Sequence, residues 1–262
     1  MQIALTIAGS DSGGGAGIQA DLKTFQRFGV FGASAITAIT AQNTRGVNRW
    51  EAVSADLVRA QIDSVADDLA PAALKSGMLA TATVASAVAS AIEAHSLRNY
   101  VLDPVMVATS GEPLLDRETI DVIRGELIAM ACLVTPNIHE AEVLIGGKIE
   151  DEDEMARAAE MMVTEMGARA VLVKGGHLES GDRVVDILCD GDVRAFRSPR
   201  LNTVHTHGTG CTLSAAITAH LAKGDSLHSA VRASIDFVHS AIATAPGLGT
   251  GHGPLNHLAD GA

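Results

Sequence analysis

The chain has 262 residues, of which 47% are hydrophobic and 19% are charged. This composition is typical of a globular protein and excludes a disordered or membrane-spanning chain. Its 19 Lys and Arg residues stand against 31 Asp and Glu residues, giving a formal net charge of −12. Such a charge argues against nucleic acid or an anionic membrane as a partner, so we expect a small-molecule ligand.

The cysteine pattern and the N-terminus predict where the protein is located. Cys132, Cys189 and Cys211 lie far apart and do not form a disulfide framework, which favours a reducing compartment. Residues 1–8 do not have the basic and then apolar pattern of a signal peptide, and no apolar run of about 20 residues occurs. We therefore expect a cytoplasmic protein.

Strands and helices are predicted to alternate along the chain. Residues 2–8 are apolar and predict a strand, a glycine-rich loop follows at 9–17, and apolar residues recur at helical spacing from Ile18 until Gly29. Further strands are predicted at 33–40, 72–79, 100–105, 132–135 and 170–174, with an antiparallel pair over 183–197. Further helices are predicted from residue 56, over 83–94, 116–130, 139–145 and 151–166, from about residue 211, and over 227–245.

This alternation predicts an α/β fold, with a mostly parallel sheet that helices cover on both faces. No linker, repeat or low-complexity stretch interrupts it, so we expect one domain over residues 1–262. Open parallel sheets bind ligands beyond the carboxyl ends of their strands. The candidate binding loops are therefore residues 9–17, 41–46, 77–79, 103–111, 136–140, 175–177 and 205–211.

The first loop contains five glycines within nine residues, which indicates a backbone that lies against a ligand. Residues 15–20 fit the dinucleotide fingerprint G-x-G-x-x-A. That fingerprint also needs an acidic residue about 20 positions further on, and no Asp or Glu lies between Asp21 and Glu51. The sequence therefore disfavours a nicotinamide dinucleotide site, and without a G-x-x-x-x-G-K-[ST] motif it excludes a P-loop.

The loop before the helix at residue 211 predicts an anion site. Gly208, Thr209 and Gly210 lie where backbone N–H groups and the helix dipole favour a phosphate. Cys211 lies in the same first turn, so we expect it to be the most acidic of the three thiols. The alternatives are a glycine-rich turn with a buried cysteine, or a zinc site with His205 and His207 that lacks a fourth ligand.

Asn137 and Glu140 lie three residues apart at a predicted helix start. They could hold a hydrated Mg²⁺, or they could simply cap the helix, which this motif alone favours. Lys174 ends a strand before two glycines and could neutralise phosphate charge, although a solvated lysine fits equally well. Asp103 ends another strand and could face the same crevice or begin a turn with Pro104.

Two further side chains suggest the shape of the ligand. Gln42 offers a donor and an acceptor that would complement an aminopyrimidine edge, although a glutamine that caps a loop would look the same. Met78 could pack on a flat ring, although methionine is more often part of the core.

Taken together, these motifs resemble the bacterial hydroxymethylpyrimidine/phosphomethylpyrimidine kinases, a family of the ribokinase-like superfamily, over nearly the whole chain. The resemblance rests on motifs in the family's order and spacing: Ala8-Gly9-Ser10-Asp11, residues 14–25, residues 37–44, Gly77-Met78-Leu79, Asp103-Pro104-Val105-Met106, Thr135-Pro136-Asn137, Lys174-Gly175-Gly176-His177, residues 207–212 and residues 251–257.

The resemblance implies a three-layer ribokinase-like fold, use of ATP with Mg²⁺, and two successive phosphorylations of 4-amino-5-hydroxymethyl-2-methylpyrimidine in thiamine biosynthesis. It also implies roles for individual residues. The substrate would contact Gln42, Met78, Asp21, Gly9 and Val105, and the anion hole would comprise Gly208, Thr209, Gly210 and Cys211. ATP would contact Lys174, Thr209 and Gly210, and the magnesium shell would include Asp103, Asn137 and Glu140.

The resemblance further implies a homodimer. Three departures from the family pattern bear on the site. Ser12-Gly13 replaces the usual Pro-Ser and predicts a more mobile loop. Val204-His205 replaces Lys-Asn, so a cationic contact to phosphate would be absent or supplied by His205. His139 lies within the Asn137/Glu140 motif where the family more often has an apolar residue or proline, which would alter the packing of that turn. The alternatives are a pyridoxal kinase of the same fold and a pyrimidine-binding regulator without turnover. Gln42 favours the hydroxymethylpyrimidine/phosphomethylpyrimidine kinase activity over the pyridoxal kinase. The intact motif at 208–211 favours the same kinase activity over the regulator.

Overall fold

A nine-stranded sheet forms the centre of the fold in a computed structural model that describes residues 1–107, 114–176, 178 and 181–260. The strands are β1 (Ile3–Ser10), β2 (Phe31–Asn43), β3 (Gly46–Ala52), β4 (Ala73–Ser76), β5 (Tyr100–Leu102), β6 (Leu133–Val134), β7 (Val171–Val173), β8 (Arg183–Cys189) and β9 (Val193–Pro199). The helices are α1 (Gly17–Arg27), α2 (Ala55–Leu69), α3 (Ala82–Ala94), α4 (Arg117–Val122), α5 (Ile128–Met130), α6 (Ile138–Ile145), α7 (Glu152–Thr164), α8 (Thr209–Ala222) and α9 (Leu227–Ala243), with a π-helical turn (Ile123–Leu127) between α4 and α5.

The sheet has the strand order β3-β2-β1-β4-β5-β6-β7-β8-β9. The six strands from β2 to β7 in this order pair in parallel, whereas β3, β8 and β9 pair antiparallel with their neighbours. The carboxyl ends of the parallel strands therefore meet at one edge of the sheet, where the candidate loops come together.

Helices cover both faces of the sheet because the central strands are apolar on both sides. Along β1, Leu5 and Ile7 belong to the core beneath α2 and α3, whereas Ala4 packs with Phe25 of α1 on the other face. Helices α8 and α9 complete that second layer. The predicted ribokinase-like α/β fold, with a mostly parallel sheet and helices on both faces, is confirmed.

Two elements differ from the sequence-based expectations. Strand β3 was not predicted, because its half-exposed sequence Gly46–Ala52 contains an asparagine, an arginine and a glutamate and shows no apolar alternation. The predicted helix over 116–130 is present but contains the π-helical turn. In the predicted loops, residues 108–111 and His177 lie outside the described residues.

Within the part of the chain that the structure describes, no helix is both long and apolar enough to span a membrane.

Candidate active site

A cavity of about 970 Å³ lies at the carboxyl edge of the parallel strands. Loops that follow β1, β2, β4, β5, β6 and β7 line it, together with the start of α8. All the predicted site residues except Asp21 line this cavity: Gly9, Gln42, Met78, Asp103, Val105, Asn137, Glu140, Lys174, Gly208, Thr209, Gly210 and Cys211.

The two glycine-rich loops touch at one end of the cavity. Gly208, the N-cap of α8, has a φ of +85°, and a Cβ atom there would collide with the carbonyl oxygen of Gly15. Glycine is required at residue 208 for both reasons. The start of α8 is thereby held against the first loop.

The start of α8 offers backbone donors to an anion. No side chain among the described residues caps this helix. The N–H of Thr209 already donates to the carbonyl of Thr206 at 3.2 Å, so the amides of Gly210 and Cys211 are the first-turn donors that the helix itself leaves unpaired. The start of α8 therefore has fewer unpaired amides than the motif suggested.

A lysine lies between two carboxylates beside this helix start. Lys174 Nζ is 2.9 Å from Asp103 Oδ1 and 3.9 Å from Glu140 Oε2. Asp103 also accepts a hydrogen bond from the hydroxyl of Ser214 in α8 at 3.2 Å. Gly210 lies so close that a Cβ atom there would be 3.1 Å from Lys174 Nζ. The ammonium thus lies directly beside the start of α8.

Asn137 and Glu140 form a capping box at the start of α6. The side chain of Asn137 accepts from the N–H of Glu140 at 2.9 Å, and the side chain of Glu140 accepts from the N–H of Asn137 at 2.7 Å. The capping interpretation of this motif is therefore confirmed. His139, between them, is exposed and lies 3.3 Å from Glu142, so it does not disturb the packing of the turn.

The carboxylate of Glu140 is buried, and Lys174 lies 3.9 Å from it. Burial, aided by the negative charge of Asp103, raises the pKa of Glu140 to about 7, although Lys174 acts in the opposite direction. Asp103 differs. Burial opposes its ionisation, but the ammonium groups of Lys174 and Lys75 hold the pKa of Asp103 below its usual value. One lysine between two buried carboxylates leaves room for additional positive charge.

The expectation for the thiol of Cys211 is wrong. Burial raises its pKa to about 12, and the carboxylates of Asp21 and Asp103 reinforce that effect against the opposing charge of Lys75. Burial also raises the pKa of Cys132, to about 11. The helix dipole is outweighed, and Cys211 is a neutral thiol at neutral pH.

The expectation that Asp21 contacts substrate is also wrong, because this side chain lies beneath the cavity rather than in its wall. It is fully buried, 3.0 Å from the ammonium of Lys75, and it accepts a hydrogen bond from the hydroxyl of Thr6 at 2.6 Å. Burial is the strongest single influence and disfavours the ammonium of Lys75, but the carboxylate of Asp21, together with other neighbours such as Asp103, raises the pKa of Lys75. Asp21 supports the site from below, as half of an ion pair.

Another part of the cavity wall combines apolar surface with one amide. Met78 is almost fully buried, and its sulfur lies 3.4 Å from where a Cβ atom of Gly9 would be. Val105 lies nearby in the same apolar cluster. Gln42 faces the cavity beside His207 and Thr40. A flat heterocycle would find an apolar wall and a donor–acceptor pair here.

Sequence reasoning missed Asp11, which organises the first loop. Its carboxylate accepts hydrogen bonds from the N–H groups of Gly13, Gly15 and Ala16 at 2.7–2.9 Å, and it lies 2.9 Å from Nε2 of His207. Burial opposes its ionisation, but these hydrogen bonds and the charge of His207 hold the pKa of Asp11 below its usual value. The available signal was an acidic residue just before a run of glycines whose N–H groups need an acceptor.

The loop at Ser12 is attached to β2. The hydroxyl of Ser12 lies 2.7 Å from both the N–H and the carbonyl oxygen of Gln42. Greater mobility of this loop, expected from Ser12-Gly13, stays a prediction. His205 does not line the cavity and packs against Gly253, so of the two alternatives at this position the structure favours an absent cationic contact.

The zinc interpretation is not supported. In residues 1–107, 114–176, 178 and 181–260, no group of three or more His, Cys, Asp or Glu side chains is arranged to hold a metal ion. Nε2 of His207 faces the carboxylate of Asp11.

Comparison with known proteins agrees with this geometry. A family model described as phosphomethylpyrimidine kinase matches residues 11–256. The hydroxymethylpyrimidine/phosphomethylpyrimidine kinase of Rhizobium meliloti is 53% identical over 261 residues, which cover 98% of this chain and 97% of the relative.

Two solved structures share the fold. The ADP complex of Bacillus subtilis pyridoxal kinase superposes with a TM-score of 0.91 and 39% identity, covering 99% of this chain and 98% of the other. The phosphomethylpyrimidine kinase of Clostridium difficile superposes with a TM-score of 0.82 and 41% identity, covering 92% and 100%. The family resemblance predicted from the motifs is thus confirmed, and the chain belongs to the phosphomethylpyrimidine kinase family.

Proposed function

We propose that the protein phosphorylates 4-amino-5-hydroxymethyl-2-methylpyrimidine and then its monophosphate, with ATP as the donor, in thiamine diphosphate biosynthesis. One observation carries this proposal: Gln42 and Met78 lie in the same cavity as the start of α8 and Lys174. A site for a polar heterocycle and a site for phosphate charge thus face each other within one enclosure.

The size of the cavity supports two ligands that bind together. Ligand pockets in proteins commonly measure about 300–1,000 Å³, and this cavity, at about 970 Å³, lies at the upper end of that range. Its wall beyond Lys174 includes Leu213, Val238 and Ile242, an apolar surface that suits the base of a nucleotide. The pyrimidine would lie at the Gln42 end.

The reaction needs charge stabilisation more than covalent help from the protein. The hydroxyl oxygen of the pyrimidine forms a bond to the γ-phosphorus of ATP, the bond from that phosphorus to the β,γ-bridging oxygen breaks, and ADP leaves with the electron pair. The N–H groups of Gly210 and Cys211 and the ammonium of Lys174 are placed to stabilise the negative charge. In the second phosphorylation, a phosphate oxygen of the monophosphate, instead of the hydroxyl oxygen, forms the bond to the γ-phosphorus of a second ATP.

The residues beside Lys174 fit Mg²⁺. This ion usually binds one or two protein carboxylates and keeps several waters, so Asp103 and Glu140 suffice without a larger cluster. Burial and the charge of Asp103 raise the pKa of Glu140 to about 7 despite Lys174, which supports the proposal of an additional cation here. When bound, Mg²⁺ would offset charge on the phosphates of ATP. Asn137 would act through the capping box that positions Glu140.

Cys211 lies at the reacting end without a preformed thiolate. Because its thiol is neutral, we propose that it contacts the substrate hydroxyl but does not remove the proton as a general base. The released proton would leave through the phosphate oxygens or water.

Pyridoxal kinase activity is the second candidate, since the solved structure with a TM-score of 0.91 is a pyridoxal kinase. A coupled assay of ADP release with hydroxymethylpyrimidine, with pyridoxal and without acceptor separates the candidates. We expect the highest kcat/KM with hydroxymethylpyrimidine, because pyridoxal lacks the amidine edge that Gln42 would read. A higher kcat/KM with pyridoxal would make pyridoxal kinase the first candidate. If ADP is released with neither hydroxymethylpyrimidine nor pyridoxal, a binding protein without turnover would be favoured.

We also propose a homodimer in a reducing cytoplasm. The hairpin of β2 and β3 ends the sheet, and Phe31 and Ile39 of β2 are half-exposed apolar side chains that a second copy could cover. The three cysteines are free. Analytical ultracentrifugation tests the dimer, and a monomer at micromolar concentration would contradict it.

A further inference from the structure

Four polar groups meet around the side-chain amide of Gln42, and their hydrogen atoms restrict how that amide is oriented. In the structure, Nε2 of Gln42 lies 3.4 Å from Nε2 of His207, and Oε1 of Gln42 lies 3.2 Å from Oγ1 of Thr40. Rotation by 180° about the last side-chain bond exchanges the amide oxygen and nitrogen at almost unchanged positions. The partners therefore decide which atom faces which group.

The His207 side of the amide faces a donor. Nε2 of His207 is 2.9 Å from Oδ2 of Asp11. Asp11 also accepts from three backbone N–H groups, so its carboxylate is an acceptor and Nε2 of His207 must carry hydrogen. That single hydrogen is directed to Asp11, so Nε2 has no lone pair with which to accept from the NH₂ of Gln42. The carbonyl oxygen of the amide, which can share the same hydrogen at the longer distance, therefore belongs on this side.

The Thr40 side faces an acceptor. The hydroxyl of Thr40 lies 2.8 Å from the carbonyl oxygen of Ser10, which can only accept, so its single proton is donated there. What remains on Oγ1 of Thr40 is lone-pair capacity, and this suits the NH₂ of Gln42. Both sides thus favour the carbonyl oxygen toward His207 and the NH₂ toward Thr40, which exchanges the positions of Oε1 and Nε2.

We infer that His207 is a positioning residue that holds the Gln42 amide with its carbonyl oxygen toward His207 and its NH₂ toward Thr40, and so sets the direction in which an aminopyrimidine binds. This inference rests on the proposed function. The free lone pair of the carbonyl would accept from the exocyclic amino group, and the free N–H would donate to the adjacent ring nitrogen.

That direction agrees with the reaction. In the substrate, the amino group and the hydroxymethyl group are attached to neighbouring ring carbons. His207 directly precedes Gly208 and the anion hole. An amino group on the His207 side therefore turns the hydroxymethyl group toward the start of α8, whereas the reversed amide would favour the opposite direction.

The experiment compares two substrates whose polar edges are opposite. In the 4-oxo analogue of the pyrimidine, the exocyclic oxygen accepts and the ring N–H donates. The measured quantity is the ratio of kcat/KM for the amino compound to kcat/KM for the oxo compound. We expect the parent to favour the amino compound strongly, because buried groups left unpaired are costly.

Two variants of His207 form a matched pair, since glutamine and methionine have similar shapes and only glutamine retains an N–H donor. We expect H207M to lower the amino-to-oxo ratio by about 10-fold or more, because the amide can then rotate. We expect H207Q to keep the ratio within about 3-fold of the parent, with the KM for ATP unchanged in both. Loss of a merely structural contact would lower kcat/KM for both pyrimidines equally.

Thr40 supplies a second pair on a different element, so the test does not depend on the folding of H207M. T40V removes the acceptor and should lower the ratio, whereas T40S retains it. A parental ratio in folded H207M, or in T40V if H207M does not fold, overturns the inference and leaves the proposed function intact. A parent that phosphorylates neither pyrimidine overturns the proposed function as well.

Discussion

The ammonium of Lys75 lies 3.0 Å from the carboxylate of Asp21, and neither side chain has any exposed surface. The pair joins β4 to α1 beneath the start of α8 and contributes to the electrostatic environment of Cys211 and Asp103. A buried ion pair of this kind is costly to break, because removal of one partner leaves the other charged and without compensation.

Removal of Lys75 alone should therefore destabilise the protein. We expect K75M to lower the free energy of unfolding by about 3–5 kcal/mol, measured by urea denaturation. The double variant D21N/K75M, which removes both charges, should recover part of that loss. Equal stability of K75M and the parent would show that the pair contributes nothing to the fold.

Substitution of Gln42 should weaken recognition of the pyrimidine. We expect Q42A to reduce kcat/KM for hydroxymethylpyrimidine by a factor equivalent to about 1–3 kcal/mol, because two polar atoms of the substrate lose their partners. The KM for ATP should not change. N43A, on the exposed next residue, is the control. Parental kinetics in Q42A would remove Gln42 from the substrate site.

Glu140 should affect the magnesium requirement. We expect E140Q to need a higher Mg²⁺ concentration for half-maximal rate, because an amide binds a hydrated cation less well than a carboxylate. The amide oxygen can still cap the N–H of Asn137, so α6 should persist, as circular dichroism can verify. E142Q, on the same helix, is the matched control. An unchanged magnesium titration in E140Q would leave Glu140 with the capping role alone.

Replacement of Cys211 should lower kcat less than replacement of a general base would. A positioned base contributes about 10²–10⁴-fold to kcat, whereas a thiol with a pKa of about 12 is not ionised at neutral pH. We therefore expect C211A to lower kcat by about 10-fold or less, with C132A as the control. A loss above 10²-fold that C211D partly restores would instead establish a base at residue 211.

The pH dependence of stability should reveal Asp186. Burial raises the pKa of its carboxyl group to about 6, although the N–H of Gly175 donates to it at 2.9 Å. The folded state therefore binds this proton more tightly than the unfolded state does. The contribution of the protonated Asp186 to the free energy of unfolding is fully present below about pH 4. This contribution is lost as the pH rises toward 6.

We expect D186N to show a flatter dependence of unfolding free energy on pH between 4 and 6, by on the order of 2 kcal/mol. Asparagine can still accept from the N–H of Gly175. Urea denaturation at both pH values measures the effect, with the exposed D192N as the control. Parallel curves for D186N and the parent would contradict the prediction.

Local patterns in the sequence predicted most of the fold and most of the cavity wall. Apolar runs such as residues 3–8, followed by glycines, identify buried strands and the loops at their carboxyl ends, and parallel strands bring those loops to one edge. Edge strand β3 was missed because an exposed strand does not need apolar residues on either face.

The chemical state of a side chain was harder to predict than its position. Cys211 lies at a helix start, as expected, but its acidity depends on Asp21 and Asp103, which are distant in the sequence and close only after folding. Asp21 follows the glycine loop like a ligand residue, and only its distance from Lys75 reveals that it is buried.

Asp11 and His207, which join the two glycine-rich loops, are 196 residues apart in the chain. During translation the first loop leaves the ribosome long before its partner exists, and contacts between such distant positions form slowly because a long loop must close. The binding cavity is therefore among the last parts of the molecule to be completed. A nascent chain that ends before residue 207 can contain every strand of the sheet but cannot yet join the first loop to the start of α8.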